Sequence, residues 1–197
     1  MKLQLTVRGI VFSALFAALL VVFGFLNINL GFTPVPITLA TLAIMLAGAF
    51  LGAGYGFFSV FLVIVLATLG LPFIGGTGGL AVILGPSAGF VWSWPFAALL
   101  IGYFMSKIKS QGIRSYVLSF LVIEVFGSLI MYFVGVPWLA HVLKISFSKA
   151  MVLGCYPYLP GDVIKSIVAT LIVVPIRKIY PSSALIGTAH TKVVTLD

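Results

Sequence analysis

Only three residues of this chain are acidic: Glu124, Asp162 and Asp197. Glu124 and Asp162 lie in or at the edge of long apolar runs, where an ionisable group is costly and marks a functional position by default. Asp162 precedes Lys165 by three in Leu159-Pro-Gly-Asp-Val-Ile-Lys165. On a helix that spacing puts both side chains on one face. Pro160 suits the first helical turn, and Asp162 would sit beside the positive end of the helix dipole. Two chemistries fit. One is an ion pair that closes a helix start; the other is a polar grip on a small molecule, with a carboxylate to accept and an ammonium to donate. Glu124 stands about ten residues, or ~15 Å, into its own run. It could pair with Lys165, sit neutral in a helix bundle, or serve a proton relay, although a relay normally uses more than one such group.

Other patterns carry less chemistry. Gly76-Thr-Gly-Gly-Leu-Ala81 has the spacing of a dinucleotide fingerprint, but no strand precedes it and no βαβ unit surrounds it. The glycines of this stretch instead allow close backbone approach to a ligand or to another loop. Gly85-Pro-Ser87-Ala-Gly89 matches a nucleophile elbow, and His141 could serve as its base, yet no third group positions that histidine. Pro86 explains the same stretch as a helix start. Two distant histidines and one cysteine do not make a metal site. Cys155 has no partner for an internal disulfide. No Walker A sequence is present, so the chain cannot by itself bind ATP in a P-loop.

The elements that must position these groups are membrane helices. Of the residues, 62% are hydrophobic and 7% charged, against about 25% charged in a soluble domain. The apolar runs are long and do not alternate, which favours helices over a barrel. The net charge of +8 therefore reports topology and contact with anionic lipid, not nucleic acid. We expect six segments, at about 8–26, 37–50, 55–69, 86–105, 114–136 and 160–176. The first could pass for a signal peptide but is long and followed by further segments, so it reads as a retained helix. Gly48, Gly52, Gly54 and Gly56 mark a tight turn between the second and third. Residues 137–158 form a long connection with an apolar half-helix around 138–143. Residues 1–181 read as a single membrane domain, and 182–197 as a flexible tail.

With six segments both termini share one side. Lys2, Arg8, Lys107, Lys109, Arg114, Arg177, Lys178 and Lys192 fall on that side and only Lys144 and Lys149 on the other, which puts both termini in the cytoplasm. The connections 27–36, 70–85 and 137–159 then lie outside, over Asp162 and Lys165. Irregular backbone at membrane depth is tolerated only where it is buried in protein or lines a cavity. Three functions compete: a solute-binding transport subunit without its own motor, a proton-coupled small-solute carrier using Glu124, Asp162 and Lys165, and an intramembrane serine hydrolase using Ser87 and His141.

Taken together, the motifs resemble a known family. Pro34-Val-Pro-Ile-Thr38 with Thr41, Leu69-Gly-Leu-Pro72 leading into Gly75-Gly-Thr-Gly-Gly79, Leu84-Gly-Pro86, Gly135 with Trp138-Leu139, and Leu159-Pro-Gly-Asp162 with Lys165 are similar to the BioY family. Its members are the biotin-specific S components of energy-coupling-factor (ECF) transporters. The resemblance spans nearly the whole chain. It implies an all-α protein of six transmembrane helices in a bacterial plasma membrane, not an enzyme and without a cofactor. Biotin would be captured from outside and released by a motor of one transmembrane coupling protein and two cytoplasmic ATPases. It implies a substrate site at Asp162, Lys165, Gly75, Gly76, Thr77, Gly78, Gly79 and Phe90, and a small-residue contact with the coupling protein at Ala14 and Ala18. Ala40 and Ala88 depart from the family pattern, where Gln and Gly are expected.

Overall fold

The computed structural model describes residues 6–187. Lys2, Lys192, Asp197 and most of the expected tail lie outside the described residues. Without water to bond the backbone, long apolar runs must satisfy their polar groups internally, and they do so as helices. In chain order these are α1 (Val7–Phe25), α2 (Ala40–Thr68), α3 (Ala81–Leu84), α4 (Ala88–Lys107), α5 (Ile113–Glu124), α6 (Ile130–Leu143), α7 (Phe147–Gly154), α8 (Leu159–Ile179) and α9 (Ser182–Leu185). A π turn, Val125–Leu129, joins α5 to α6. Two short strands, β1 (Asn27–Ile28) and β2 (Ile37–Thr38), pair antiparallel in the first connection.

Five of these stretches are long and apolar enough to cross a membrane, α5 through α6 counting as one. The expected second and third segments are both inside α2, which breaks at Gly52 (φ 78°, ψ −178°). That left-handed φ is open to glycine and strained for other residues. The chain reverses there. A Cβ on Gly56 would lie 3.0 Å from the Cα of Gly48, whereas eight residues of continuous helix span about 12 Å. Both arms pack against α1 and α4: Phe50 of the first arm meets Phe16, and Phe57 of the second meets Phe96. Ser59 of the second arm donates to the Ser13 carbonyl of α1 at 2.8 Å. The first arm runs beside α4 so closely that a Cβ on Gly48 would come within 2.9 Å of the Ala98 Cα. Small residues at such contacts are what bring helices together in lipid.

Thr6 opens α1 by accepting from the Gly9 N–H at 3.0 Å, and its hydroxyl donates to the Ile186 carbonyl. The two ends of the described chain therefore meet at one end of the bundle. The core has two regions. One, with Met45, Ile101, Ile123 and Val173, fills that end. The other, with Ile44, Phe90, Trp94, Met131 and Tyr158, borders a cavity toward the opposite end.

One boundary differs from expectation. The helix expected to stop near residue 136 continues through Pro137 to Leu143, so 138–143 are its last turns and not a half-helix of the connection. Pro137 removes one donor, a loss that surrounding helices make tolerable. The connection holds a separate helix, α7, opened by Ser146, which accepts from the Lys149 N–H.

Candidate functional site

Three connections converge over the cavity and are tied to the helices and to one another. In the first, residues 26–39, Val35 N–H donates to the Thr33 hydroxyl at 3.2 Å, and Thr33 donates to the Leu153 carbonyl at 2.7 Å. The Tyr158 hydroxyl donates to the Val35 carbonyl. Together these bonds join the first connection to the third. In the second, residues 69–87, Gly79 N–H donates to Ala67 O at 2.7 Å, and Gly85 O accepts from the Trp138 indole at 2.9 Å. Irregular backbone is thus satisfied within protein, as its depth requires.

Beneath them lies a cavity of about 360 Å³, within the ~300–1,000 Å³ usual for small-molecule sites. Leu20, Phe73, Phe90, Val91, Trp94 and Met131 supply apolar wall, and Tyr132, Tyr158, Asp162 and Lys165 supply polar groups. Asp162 and Lys165 are buried to 6% and 8% exposure on the first two turns of α8, with Pro160 beside the helix start. The i,i+3 ion pair forms at 2.7 Å. Lys165 also donates to the Thr38 carbonyl at 3.0 Å and to the Thr41 hydroxyl at 2.8 Å. An ammonium has three donors, so all of them are in use. Asp162 accepts from Lys165 through Oδ1 and from the Tyr132 hydroxyl through Oδ2. An ionised carboxylate offers about four acceptor sites, so about two remain for a ligand.

Two groups in the third connection feel this pair. Burial, then the charge of Asp162, pushes the Cys155 thiol above its ordinary value. Burial likewise raises the Tyr158 phenol, against the lowering effect of its hydrogen bond with Thr33.

The remaining expected residues separate. Gly75, Thr77 and Phe90 line the cavity. Gly76, Gly78 and Gly79 of the same loop are not among the cavity's lining residues. Gly78 packs inside its own loop, where a Cβ would come within 2.7 Å of the Gly70 carbonyl. Ala40 lines the cavity, whereas Ala88 is buried outside it. Ala14 and Ala18 do not line the cavity: both are exposed on α1, on a face shared with Val7, Ile10, Val11, Leu15 and Val22.

Glu124 does not pair with Lys165; among the described residues the only ion pair is Asp162–Lys165. Glu124 accepts from Ser128, a residue of the cavity wall, at 3.5 Å, but does not itself line the cavity. Ser87 lines the cavity but no hydrogen bond joins it to His141 among the described residues; His141 is exposed, with its ring 6.1 Å from that of Trp138. Sequence reasoning passed over Tyr132 and Tyr158. In an apolar run a tyrosine has no local signal, because its partners lie 30 and more than 120 residues away.

The chain is similar to known proteins. Residues 1–182 match the model of the BioY family. Over 173 residues the chain is 42% identical to the biotin transporter BioY of Rhizobium etli, covering 85% of this chain and 92% of that one. It is 38% identical to the biotin transporter BioY of Lactococcus lactis subsp. cremoris over 174 residues, covering 87% and 92%. A crystal structure of the S-component for biotin from an ECF-type ABC transporter superposes with a TM-score of 0.81 at 38% identity, over 90% of this chain and 95% of that one.

Proposed function

This chain belongs to the BioY family, and we propose that it is the biotin-capturing subunit of an ECF-type ABC transporter, with its ligand held against Asp162. The observation that carries the site is the saturated Lys165. With its three donors committed to Thr38, Thr41 and Asp162, it fixes and balances the carboxylate, while Asp162 keeps free acceptor sites facing an apolar cavity. Biotin has complementary chemistry: a fused ring and alkyl chain for the apolar wall, and a ureido group whose two N–H donors suit Asp162. Its ureido oxygen or carboxylate can be reached by Lys165 only if Thr38 or Thr41 gives way. Phe90, Gly75 and Thr77 complete the wall around the ring.

The two arms of α2 count as separate crossings, which makes six, with the cavity opening outside and both termini in the cytoplasm of a bacterial cell. The charges support this orientation: Arg8, Lys107, Lys109, Arg114, Arg177 and Lys178 gather at the end where Thr6 meets Ile186, with no carboxylate among the described residues there. Residues 1–181 act as one membrane domain. The exposed face of α1 around Ala14 and Ala18 is where the transmembrane coupling protein docks, and two ATPases supply the work that this chain has no motif to perform. The reading is a transport subunit, not an enzyme, and needs no cofactor.

The test is retention. Detergent-solubilised protein is incubated with tritiated biotin and passed through gel filtration. One biotin per chain should travel with the protein and be displaced by unlabelled biotin. If label separates completely while the protein stays monodisperse, the proposed function fails.

A further inference from the structure

A second cavity, of about 540 Å³, lies at the end where Thr6 meets Ile186, between the 108–112 connection, the start of α5 and the end of α8. Lys109, Arg177, Lys178, Ser110, Ser115 and Ser119 supply its polar wall. The cations there have no counter-charge: among the described residues the carboxylates are Glu124 and Asp162, and Asp162 is paired at the other cavity. Arg177 donates one N–H to the Ala49 carbonyl at 2.8 Å, out of the five that a guanidinium carries. The Lys178 ammonium stands over the Tyr116 ring at 5.8 Å, which leaves its N–H donors open.

The hydroxyls add a second observation. Ser110 Oγ is buried and has no hydrogen-bond partner. Ser115 and Ser119, one turn apart on α5 and 9% and 1% exposed, line the same cavity. Native proteins leave few buried polar groups unpaired, because each costs free energy. Three cations facing one cavity repel one another as well. One ligand chemistry answers both deficits. A phosphate group brings negative charge, an oxygen pair that matches the arginine fork, and further acceptor oxygens for serine hydroxyls. A carboxylate offers two oxygens against a phosphate's four, ester oxygens included, so it has fewer acceptor sites left for the serines once the arginine fork is met.

We propose that this cavity binds a phosphate group, carried by an anionic phospholipid headgroup or by a soluble phosphate. Basic pockets between membrane helices hold lipid headgroups by the same physics. The test uses the full chain, delipidated in neutral detergent and observed by native mass spectrometry. The probes are phosphatidylglycerol, diacylglycerol with the same acyl chains, and inorganic phosphate. Phosphatidylglycerol or inorganic phosphate should give one saturable adduct that diacylglycerol does not give. The lipid alone assigns the site to a headgroup, and phosphate alone assigns it to a soluble ligand. Removing Lys109 and Lys178 as glutamines should weaken that adduct by about fivefold for each lysine. Arg177→Gln should weaken it further, with circular dichroism checking that the helices persist. Arg114→Gln, an exposed cation outside the cavity wall, should change it by less than about twofold, within the scatter of surface substitutions. The proposal is overturned if neither phosphate probe binds, if diacylglycerol binds as well as phosphatidylglycerol, or if the paired lysine variant behaves like Arg114→Gln.

Discussion

The two ends of α8 carry their charges in opposite ways. At its start, Lys165 and Asp162 neutralise each other, and Thr38, Thr41 and Tyr132 occupy most of what remains. At its end, Arg177 and Lys178 sit near helix carbonyls, which suits the dipole, but meet no carboxylate among the described residues. A group whose bonds are already made is preorganised: it can hold a neutral, dipolar group such as a ureido ring without reorganising. A cation left open needs a counter-anion from elsewhere. One helix therefore supports two kinds of recognition, set by how completely neighbouring elements satisfy each charge.

Breaking the pair at the start of α8 should have the largest effect on stability. Lys165→Met leaves a carboxylate in an apolar wall, and removing one partner of a buried pair costs about 3–5 kcal/mol. Lys178→Met at the other end should cost less than about 0.5 kcal/mol, as a surface substitution does. Thermal unfolding in detergent compares the two, and equal losses would erase the contrast. Tyr132→Phe comes next. It removes a donor to a charged acceptor, worth about 1.5–3 kcal/mol, and chemical denaturation should show that loss without a change in helix content.

A subtler probe is Cys155. Its thiol is raised by burial and by Asp162, so reaction with maleimide should be slow at neutral pH and accelerate above the ordinary thiol range. Asp162→Asn removes the anion, so the rate profile should move to lower pH. An unmoved profile would mean that the carboxylate charge does not reach Cys155. The smallest effect on stability should come from Ala14→Trp with Ala18→Trp, since both side chains are exposed. Stability should stay within about 0.5 kcal/mol and biotin binding should persist, while ATP-driven uptake is lost. Equal loss of binding and uptake would assign this face of α1 to the internal core.

Much of this contrast could be read from the sequence. Asp162 and Lys165 were legible because an i,i+3 spacing after Pro160 is a local rule that tertiary structure did not override. The turn at Gly52 was legible for the same reason. Tyr132 was not, because the π turn Val125–Leu129 intervenes. Each extra residue in a turn rotates everything after it, so a 3.6-residue period counted from α5 misplaces the faces of α6. The glycine loop was half legible. Its composition marked irregular backbone, but only contacts with other elements decide that Gly75 and Thr77 face the cavity while Gly78 packs on Gly70. The serines at the far end were invisible for a related reason: Ser115 and Ser119 are ordinary helix residues until the cavity they line is known.

The most direct test of the central claim is a calorimetric biotin titration of the wild type, Asp162→Asn, Lys165→Met and the double variant, each with its thermal stability. If Asp162 holds the ligand and Lys165 holds Asp162, each single variant should weaken binding by about tenfold or more, as an unmatched ligand donor costs about 1–3 kcal/mol. The double variant should regain stability but not affinity. Single variants that lose stability yet bind normally, with a double variant that recovers both, would contradict the account and leave a helix-start ion pair with no part in capture.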